Sequence, residues 1–242
     1  MGGGRHMKNL ATIADVAQVK QTGGMKIEEK GYTFSRNLVT LAAPLSAGAE
    51  AIRALRTHIL SQHVHAGRRA LAICGASAGV GCSFVAANLA VAFAQIGLKT
   101  LLIDADLREP SIDKLIVPAA TPQGLAACLV ASDSQVGDYI DEDILPNLSV
   151  MYAGAATPSA QELLGRDWFE EVMNLCLREF EITLIDTPPA NTCSDGRRVS
   201  DIAGYSLIVA RRNRSLVADL RTLVDQLTDD GVTVVGALMN AD

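Results

Sequence analysis

Short apolar runs alternate with amphipathic segments along most of the chain. Runs rich in Val, Ile, Leu and Ala are typical of strands buried on both faces of a parallel sheet. Six such runs are present: 69–74, 99–106, 147–154, 181–190, 205–210 and 232–240. Apolar residues at helical spacing predict helices before and between them, over about 49–60, 83–96, 160–180 and 214–229. This alternation predicts an α/β fold, a doubly wound, mostly parallel sheet with helices on both faces and ligands at the carboxyl ends of the strands.

The first 45 residues lack this regular pattern. They contain the pair Gly23-Gly24, Gly31 and Pro44, all of which interrupt regular structure. We therefore predict a flexible or loosely docked N-terminal extension over residues 1–45 and a single α/β domain over residues 46–242.

The composition narrows the class of protein. Hydrophobic residues make up 49% of the 242 residues and aromatic residues only 4%, so the core is aliphatic. A formal net charge of −6 argues against a nucleic-acid partner bound through bulk charge. Five scattered cysteines without a C-x-x-C pair indicate reduced thiols and a cytoplasmic location. No apolar run approaches the roughly 20 residues that span a bilayer, so we expect no direct membrane insertion.

A glycine-rich segment, "ASAGVGCS" (76–83), follows the first predicted strand. It matches the phosphate-loop pattern [AG]-x-x-x-x-G-K-[ST] except that Cys82 stands where the pattern has lysine. Glycines let backbone N–H groups approach a polyphosphate, and the following helix points its positive end at the anion. A structural turn is the alternative for this segment taken alone. The predicted phosphate-binding residues are Ala78, Gly79, Val80, Gly81, Cys82, Ser83 and Phe84.

Two further predicted strands end in carboxylates. "LLIDADLR" places Asp104 and Asp106 at the end of one strand, and "ITLIDTPP" places Asp186 at the end of another. A hard cation such as Mg²⁺ needs oxygen ligands held by a rigid frame. We therefore predict Asp104, Asp106 and Asp186 as catalytic residues, and Ser83 with Asp104 and Asp186 as ligands of Mg²⁺.

Over about residues 45–240 the chain resembles the bacterial tyrosine kinases (BY-kinases), cytoplasmic P-loop domains of exopolysaccharide and capsule systems. The resemblance implies a P-loop NTPase fold, ATP or ADP and Mg²⁺ as cofactors, and a membrane polysaccharide co-polymerase as a transmembrane partner that recruits the protein to the cell membrane. The resembling segments are "ASAGVGCS" for Walker A, "LLIDADLR" for Walker A′, "ITLIDTPP" for Walker B, "EAIRALR" for the E-x-x-R-x-x-R motif, "ATPSAQELLG" before a helix and "GVTVVGALMN" for the last strand.

The resemblance also assigns residues outside the phosphate loop. Glu50, Arg53 and Arg56 lie on one side of the first predicted helix, where a merely solvated face is the alternative. In the family this helix helps to build a ring, so the resemblance implies a homo-oligomer. Asn240 ends the last predicted strand, where relatives hold the nucleotide base.

Cys82 is the main departure from the family. A thiol carries no positive charge, and losing a charge-assisted contact would weaken nucleotide binding about 10- to 150-fold. Arginines elsewhere could substitute only if the fold brings one to the loop; the candidates are Arg68, Arg69, Arg108, Arg211 and Arg212. A thiol at a helix N-terminus also tends to have a lowered pKa, so a redox switch is a further hypothesis.

The tyrosines form a second departure. The family's autokinases phosphorylate a tyrosine-rich tail, whereas Tyr32, Tyr139, Tyr152 and Tyr205 form no cluster near Asp242. We therefore do not expect tail phosphorylation from these residues.

Three functions are compatible with the motifs. The first is a nucleotide-binding pseudokinase that regulates exopolysaccharide or capsule polymerisation and export, with ATP-dependent tyrosine phosphorylation weak or lost because of Cys82. The second is an active protein tyrosine kinase. The third, a partitioning-type positioning ATPase, is disfavoured because residues 76–83 lack the additional loop lysine of that group. An iron–sulfur reductase of the same superfamily is weaker still, because no cysteine follows the required strand ends.

Overall fold

The computed structural model describes residues 27–132 and 135–241. Its strands are β1 (Ile27–Glu29), β2 (Tyr32–Phe34), β3 (Ala70–Gly75), β4 (Thr100–Asp104), β5 (Ile116–Val117), β6 (Asp141–Leu145), β7 (Leu148–Met151), β8 (Ile182–Asp186), β9 (Tyr205–Arg211) and β10 (Thr233–Asn240). Its α-helices are α1 (Val39–Ala42), α2 (Ala47–Gln62), α3 (Cys82–Ala94), α4 (Ile112–Leu115), α5 (Gly124–Ala131), α6 (Ala160–Leu164), α7 (Asp167–Glu179), α8 (Asp195–Ala203) and α9 (Val217–Asp229).

Seven strands form the central sheet in the order β10-β9-β3-β8-β4-β7-β6. All neighbouring pairs are parallel except β6 and β7, so the carboxyl ends of β3, β4 and β8 lie at one edge of the sheet. The predicted α/β fold with a mostly parallel sheet and helices on both faces is confirmed. Strands β8, β4, β7 and β6 lie on one side of β3 in the sheet, and β9 and β10 lie on its other side. Doubly wound sheets bind ligands at such a reversal of strand order.

Successive side chains along each strand point to opposite faces of the sheet and pack into two separate hydrophobic cores. Leu71 and Ile73 of β3 lie in one apolar cluster with α2 and α3, whereas Ala72 and Cys74 lie in another with α5 to α9. A strand buried on both faces must be apolar at nearly every position, which is why the runs were visible in the sequence. No helix in the described part of the chain is long and apolar enough to cross a bilayer.

The predicted strands correspond to β3, β4, β7, β8, β9 and β10, but one predicted helix is wrong. The segment 160–180 is divided into α6 and α7 rather than forming one helix. Gly165 ends α6, and Arg166 is extended, with φ −75° and ψ 149°, before α7 begins. Extended backbone at Arg166 interrupts the i→i−4 hydrogen bonds, although apolar spacing continues through the break.

The single tryptophan of the chain, Trp168, lies at the start of α7. Its indole Nε1 donates a hydrogen bond to the Cys128 carbonyl oxygen of α5 at 3.2 Å. Arg166 Nη1 donates to the neighbouring Leu129 carbonyl oxygen, also at 3.2 Å. These two bonds join the start of α7 to α5.

The predicted extension is part of the core from β2 onward. β1 and β2 form a small antiparallel sheet with β5, and Phe34 and Leu38 are 1% and 0% exposed. Asn88 of α3 accepts a hydrogen bond from the Thr40 N–H at 3.2 Å and donates to the Asn37 carbonyl at 2.8 Å. Phe34, Leu38 and Thr40 are therefore packed against the α/β domain rather than loosely docked. The boundary between an extension and the domain at residue 45 stays a prediction. Residues 1–26 lie outside the described residues.

Candidate functional site

The glycine-rich segment forms the connection between β3 and α3. Gly79 and Gly81 have φ of +71° and +104°, in the left-handed region that favours glycine. α3 begins at Cys82 with no side-chain cap and no acidic residue in its first turn. The first N–H groups of α3 are therefore available to an anion, as expected for a phosphate loop.

The tip and the base of this loop have different environments. Ala78 and Gly79 are exposed at the tip, whereas Val80 is 1% exposed and packs into the core on the α3 side. Phe84, in the first turn of α3, is half-buried against the same core. The buried base holds the exposed tip in position.

Side chains from the ends of β9 and β10 hold the loop. Arg211 Nη1 donates to the Gly79 carbonyl oxygen at 2.9 Å, and Asn240 Nδ2 donates to the Val80 carbonyl oxygen at 3.1 Å. A side-chain carbon on Gly81 would come 2.5 Å from Asn240 Nδ2. The structure thus places Asn240 against the loop backbone, and its contact with a nucleotide base stays a prediction.

Asp104 and Asp186 lie opposite each other at the ends of the paired strands β4 and β8. Asp104 accepts backbone hydrogen bonds from Asp106 at 3.1 Å and from Ser111 and Ile112 at 3.0 Å each. These bonds shape the turn after β4. The structure therefore brings these two predicted acids together beside the loop.

Asp106 has a different position in the same turn. Its Oδ1 accepts hydrogen bonds from the backbone N–H groups of Arg108 at 3.2 Å and Glu109 at 2.9 Å. These bonds order the backbone after β4, and the side chain is 9% exposed. Its predicted catalytic function stays a prediction.

Ser83 connects the loop to the acids. Ser111 donates from its hydroxyl to Ser83 Oγ at 2.7 Å. Ser83 is hydrogen-bonded to Asp186, and this bond partly opposes the increase in the pKa of Asp186 that burial causes. Ser111 was not found by sequence reasoning, because a lone serine after a strand carries no distinctive pattern. The predicted Mg²⁺ ligands Ser83, Asp104 and Asp186 are thus neighbours in the structure.

The two strand-end acids are buried, and each is 1% exposed. Burial, and then the nearby Asp104 charge, hold the pKa of Asp186 well above its usual range. Burial likewise raises the pKa of Asp104 from 3.8 to about 6, against the opposing effect of its backbone hydrogen bonds. Asp186 Oδ1 is buried and has no hydrogen-bond partner among the described residues. An unpartnered buried carboxylate oxygen beside a phosphate loop fits a site that receives a cation together with phosphates.

The Cys82 side chain lies against the end of β3. A side-chain carbon on Gly75 would come 2.8 Å from Cys82 Sγ, which shows that the thiol lies against this glycine. Burial, followed by the Asp186 charge, raises the pKa of the Cys82 thiol well above its usual value. The predicted lowering of its pKa is therefore wrong, because burial and a neighbouring carboxylate outweigh the helix N-terminus. The redox-switch hypothesis loses its physical basis.

Most of the arginines considered from the sequence have other contacts. Arg68 lies over the Tyr205 ring at 4.8 Å, Arg69 donates to the Leu177 carbonyl, and Arg108 pairs with Asp195 at 2.7 Å. The Arg212 N–H donates to the Asn240 carbonyl oxygen at 2.8 Å. Arg211 contacts the loop through its side chain, which donates to the Gly79 carbonyl oxygen. Arg214, which sequence reasoning missed, also approaches Gly79.

The predicted oligomerisation residues lie on α2. Arg53 pairs with Glu50 at 2.7 Å, three residues earlier on the same helix. Arg56 Nη1 donates to the Ala92 carbonyl oxygen in the last turn of α3 at 3.2 Å. All three thus have contacts within one chain, and a ring stays a prediction.

Comparison with known proteins places this arrangement in a family. Residues 67–164 match the ParA family model, described as NUBPL iron-transfer P-loop NTPase. The kinase domain of the Escherichia coli tyrosine kinase Etk is similar in structure, with a TM-score of 0.80 and 26% identity over 96% of this chain and 90% of that chain.

Sequence relatives agree with this structural neighbour. EpsB of Ralstonia solanacearum is 31% identical over 225 residues, which is 93% of this chain but only 29% of EpsB. Tyrosine-protein kinase YwqD of Bacillus subtilis (strain 168) is 30% identical over 213 residues, covering 88% of this chain and 89% of YwqD. The chain therefore belongs to the bacterial tyrosine kinase family of ParA-type P-loop NTPase domains.

Proposed function

We propose that this chain is a nucleotide-binding regulator of exopolysaccharide or capsule polymerisation and export, with tyrosine kinase activity that is weak or lost. One observation carries the proposal. Ser83, Asp104 and Asp186 are assembled beside a phosphate loop, whereas the Cys82 thiol lies against Gly75 and brings no charge to it. The groups that would hold a nucleotide are retained, and the group that would promote phosphoryl transfer is not.

The cofactors in this proposal are ATP or ADP with Mg²⁺. Magnesium is usually bound by one or two carboxylates together with substrate phosphates and water. Within residues 27–132 and 135–241 no group of three or more His, Cys, Asp and Glu is arranged to hold a metal by itself. We therefore assign Ser83 and the unpartnered oxygen of Asp186 to a cation that is bound together with the phosphates.

The weak or lost kinase activity follows from the charge at position 82. The phosphate-loop lysine offsets negative charge on the phosphates, and electrostatic stabilisation supplies most of the catalysis in phosphoryl transfer. A cysteine side chain is neutral or negative but never positive, so Cys82 supplies no such charge. Transition-state stabilisation should suffer more than ground-state binding.

Partners and location are proposed from the family resemblance. We propose a cytoplasmic protein that is recruited to the inner face of the membrane by a transmembrane polysaccharide co-polymerase. The exposed Glu50 and the neighbouring Arg53 on α2 support a contact between subunits, since their charges lie at the surface. A homo-oligomeric ring is the assembly that the resemblance implies.

Titration calorimetry with Mg·ATP and Mg·ADP on the wild type and on Cys82→Lys tests the proposal. We expect wild-type binding in the micromolar to about millimolar range and about 10- to 150-fold tighter binding by Cys82→Lys. Phosphotyrosine on the protein and on a poly(Glu,Tyr) substrate is measured in parallel, and we expect a signal only from Cys82→Lys.

The two assays have separate outcomes that contradict the proposal. Absence of wild-type binding at about millimolar nucleotide would remove nucleotide binding as a function. Strong wild-type phosphotyrosine would instead favour the active-kinase alternative.

A further inference from the structure

A basic turn follows β9 at the edge of the site. Residues 211–215, called here the basic turn, are closed by their own hydrogen bonds. The Arg211 N–H donates to Ser215 Oγ at 2.8 Å, and the Ser215 N–H donates to the Arg211 carbonyl oxygen at 2.9 Å. Asn213 adopts φ +58° within the turn, a conformation that asparagine tolerates better than most residues. The turn is thus a defined structure that orients its side chains.

The basic turn directs two guanidinium groups at Gly79. Arg211 is bonded to the Gly79 carbonyl oxygen at 2.9 Å, which fixes the turn against the loop. A side-chain carbon on Gly79 would lie 3.1 Å from Arg214 Nη1 and 3.4 Å from Arg214 Cζ. The guanidinium of Arg214 therefore lies against the exposed tip of the phosphate loop.

These two arginines supply positive charge that the loop itself lacks. Residues 76–83 contain no Lys or Arg, and the other side of the site carries Asp104 and Asp186. Asp186 Oδ1, buried and unpartnered among the described residues, is an independent sign that the site receives a charged ligand. Arg214 is exposed, and its guanidinium lies against the loop tip at Gly79.

We propose that Arg214 binds the phosphates of a nucleoside di- or triphosphate and replaces, in binding, the charge of the lysine missing at position 82. This inference rests on the proposed nucleotide binding and names the residue that makes it possible. The hydrogen bond from Arg211 to the Gly79 carbonyl oxygen holds the basic turn against the loop. A guanidinium forms paired, charge-assisted hydrogen bonds to phosphate oxygens, so it suits this position.

Calorimetry on Arg214→Gln measures the contribution of this charge. We expect Mg·ADP and Mg·ATP to bind about tenfold or more weakly than to the wild type, with adenosine affinity unchanged because adenosine has no phosphate. Arg214→Lys keeps the charge but not the paired hydrogen bonds, so it should lose less affinity than Arg214→Gln. Arg221→Gln, on the exposed face of α9, makes the same change of charge away from the turn and should leave binding within about twofold.

A double-mutant cycle with Cys82→Lys separates replacement of the lysine from a structural effect. If Arg214 supplies the missing charge, Arg214→Gln should cost much less in the Cys82→Lys background, about threefold or less. An equal loss in both backgrounds, or no loss in the wild-type background, overturns the inference while nucleotide binding stands. If the wild type binds no nucleotide, the proposed function and this inference fall together.

Discussion

At the scale of single residues, position 82 carries an uncharged thiol where the phosphate-loop pattern has lysine. The thiol lies against Gly75 at the end of β3, and Gly79 and Gly81 adopt left-handed conformations. The loss of the lysine is visible in the sequence. The direction of the thiol and its raised pKa are not, because both depend on Gly75 and Asp186, which other segments bring together.

The buried acids predict a pH dependence of stability. Asp104 and Asp186 have raised pKa values in the folded state, so the folded protein holds their protons more tightly than the unfolded chain. The stabilisation by the Asp104 proton is complete below about pH 4 and is lost as the pH rises through about 6. The pKa of Asp186 is raised too, so its contribution has the same sign. Urea denaturation without nucleotide should therefore show that these acids lower the free energy of unfolding more at about pH 8 than at about pH 5.

Asp186→Asn is the variant that isolates this effect. It removes one buried charge, so we expect it to stabilise the protein by about 1 kcal/mol or more at about pH 8 and by less at about pH 5. His63 titrates in the opposite sense because burial lowers its pKa, so the difference between variant and wild type is the relevant quantity. An equal effect of Asp186→Asn at both pH values would contradict the assignment.

At the scale of elements, the charged motif of α2 makes two kinds of contact. Spacing places Glu50, Arg53 and Arg56 on one side of the helix, and the structure keeps that arrangement. Arg56, however, turns inward to the Ala92 carbonyl oxygen at the end of α3, whereas Glu50 and Arg53 pair at the surface. The motif therefore joins α2 to α3 as well as presenting charge.

Because the two arginines make different contacts, we predict that replacing them with alanine changes the free energy of unfolding by different amounts. Arg56→Ala removes a charge-assisted bond to a helix C-terminus and should lower the free energy of unfolding by about 1–2 kcal/mol. Arg53→Ala removes a surface ion pair and should change it by less than about 0.5 kcal/mol. Chemical denaturation of both variants is the measurement, and equal losses would show that the Arg56 contact contributes no extra stability.

The elements differ in how well sequence patterns could reveal them. Strands β3, β4, β8 and β9 were predictable because burial on both faces requires continuous apolar runs. The short β1, β2 and α1 were not, because two to four residues carry no period, and the break between α6 and α7 is invisible while apolar spacing continues. Boundaries set by backbone conformation rather than by burial are thus the ones that patterns miss.

At the scale of the whole molecule, the segment before α2 belongs to the same unit as the sheet. Phe34 and Leu38 fill the core on the α3 side, and Thr40 and Asn37 are bonded to Asn88. Strand-end acids could be placed in one site from the sequence because parallel strands share an edge. Contacts such as Arg214 with Gly79 or Ser111 with Ser83 could not, since they join loops that are distant in sequence.

Because the segment before α2 packs into the core, we predict that truncating Leu38 strongly lowers the stability of the protein. Leu38 is 0% exposed, so Leu38→Ala should lower the free energy of unfolding by about 2–4 kcal/mol. Leu45 is 98% exposed, and Leu45→Ala should change it by less than about 0.5 kcal/mol. Urea denaturation compares the two, and a small effect at Leu38 would restore the view of this segment as loosely docked.

Trp168 has a practical consequence for all of these measurements. As the single tryptophan of the chain, bonded to the Cys128 carbonyl between α7 and α5, it gives one intrinsic fluorescence signal that changes when these helices separate. Circular dichroism follows the helices as a whole, including α2 and α3 on the opposite face of the sheet. Coincident curves from the two probes would establish all-or-none unfolding, without any label attached to the protein.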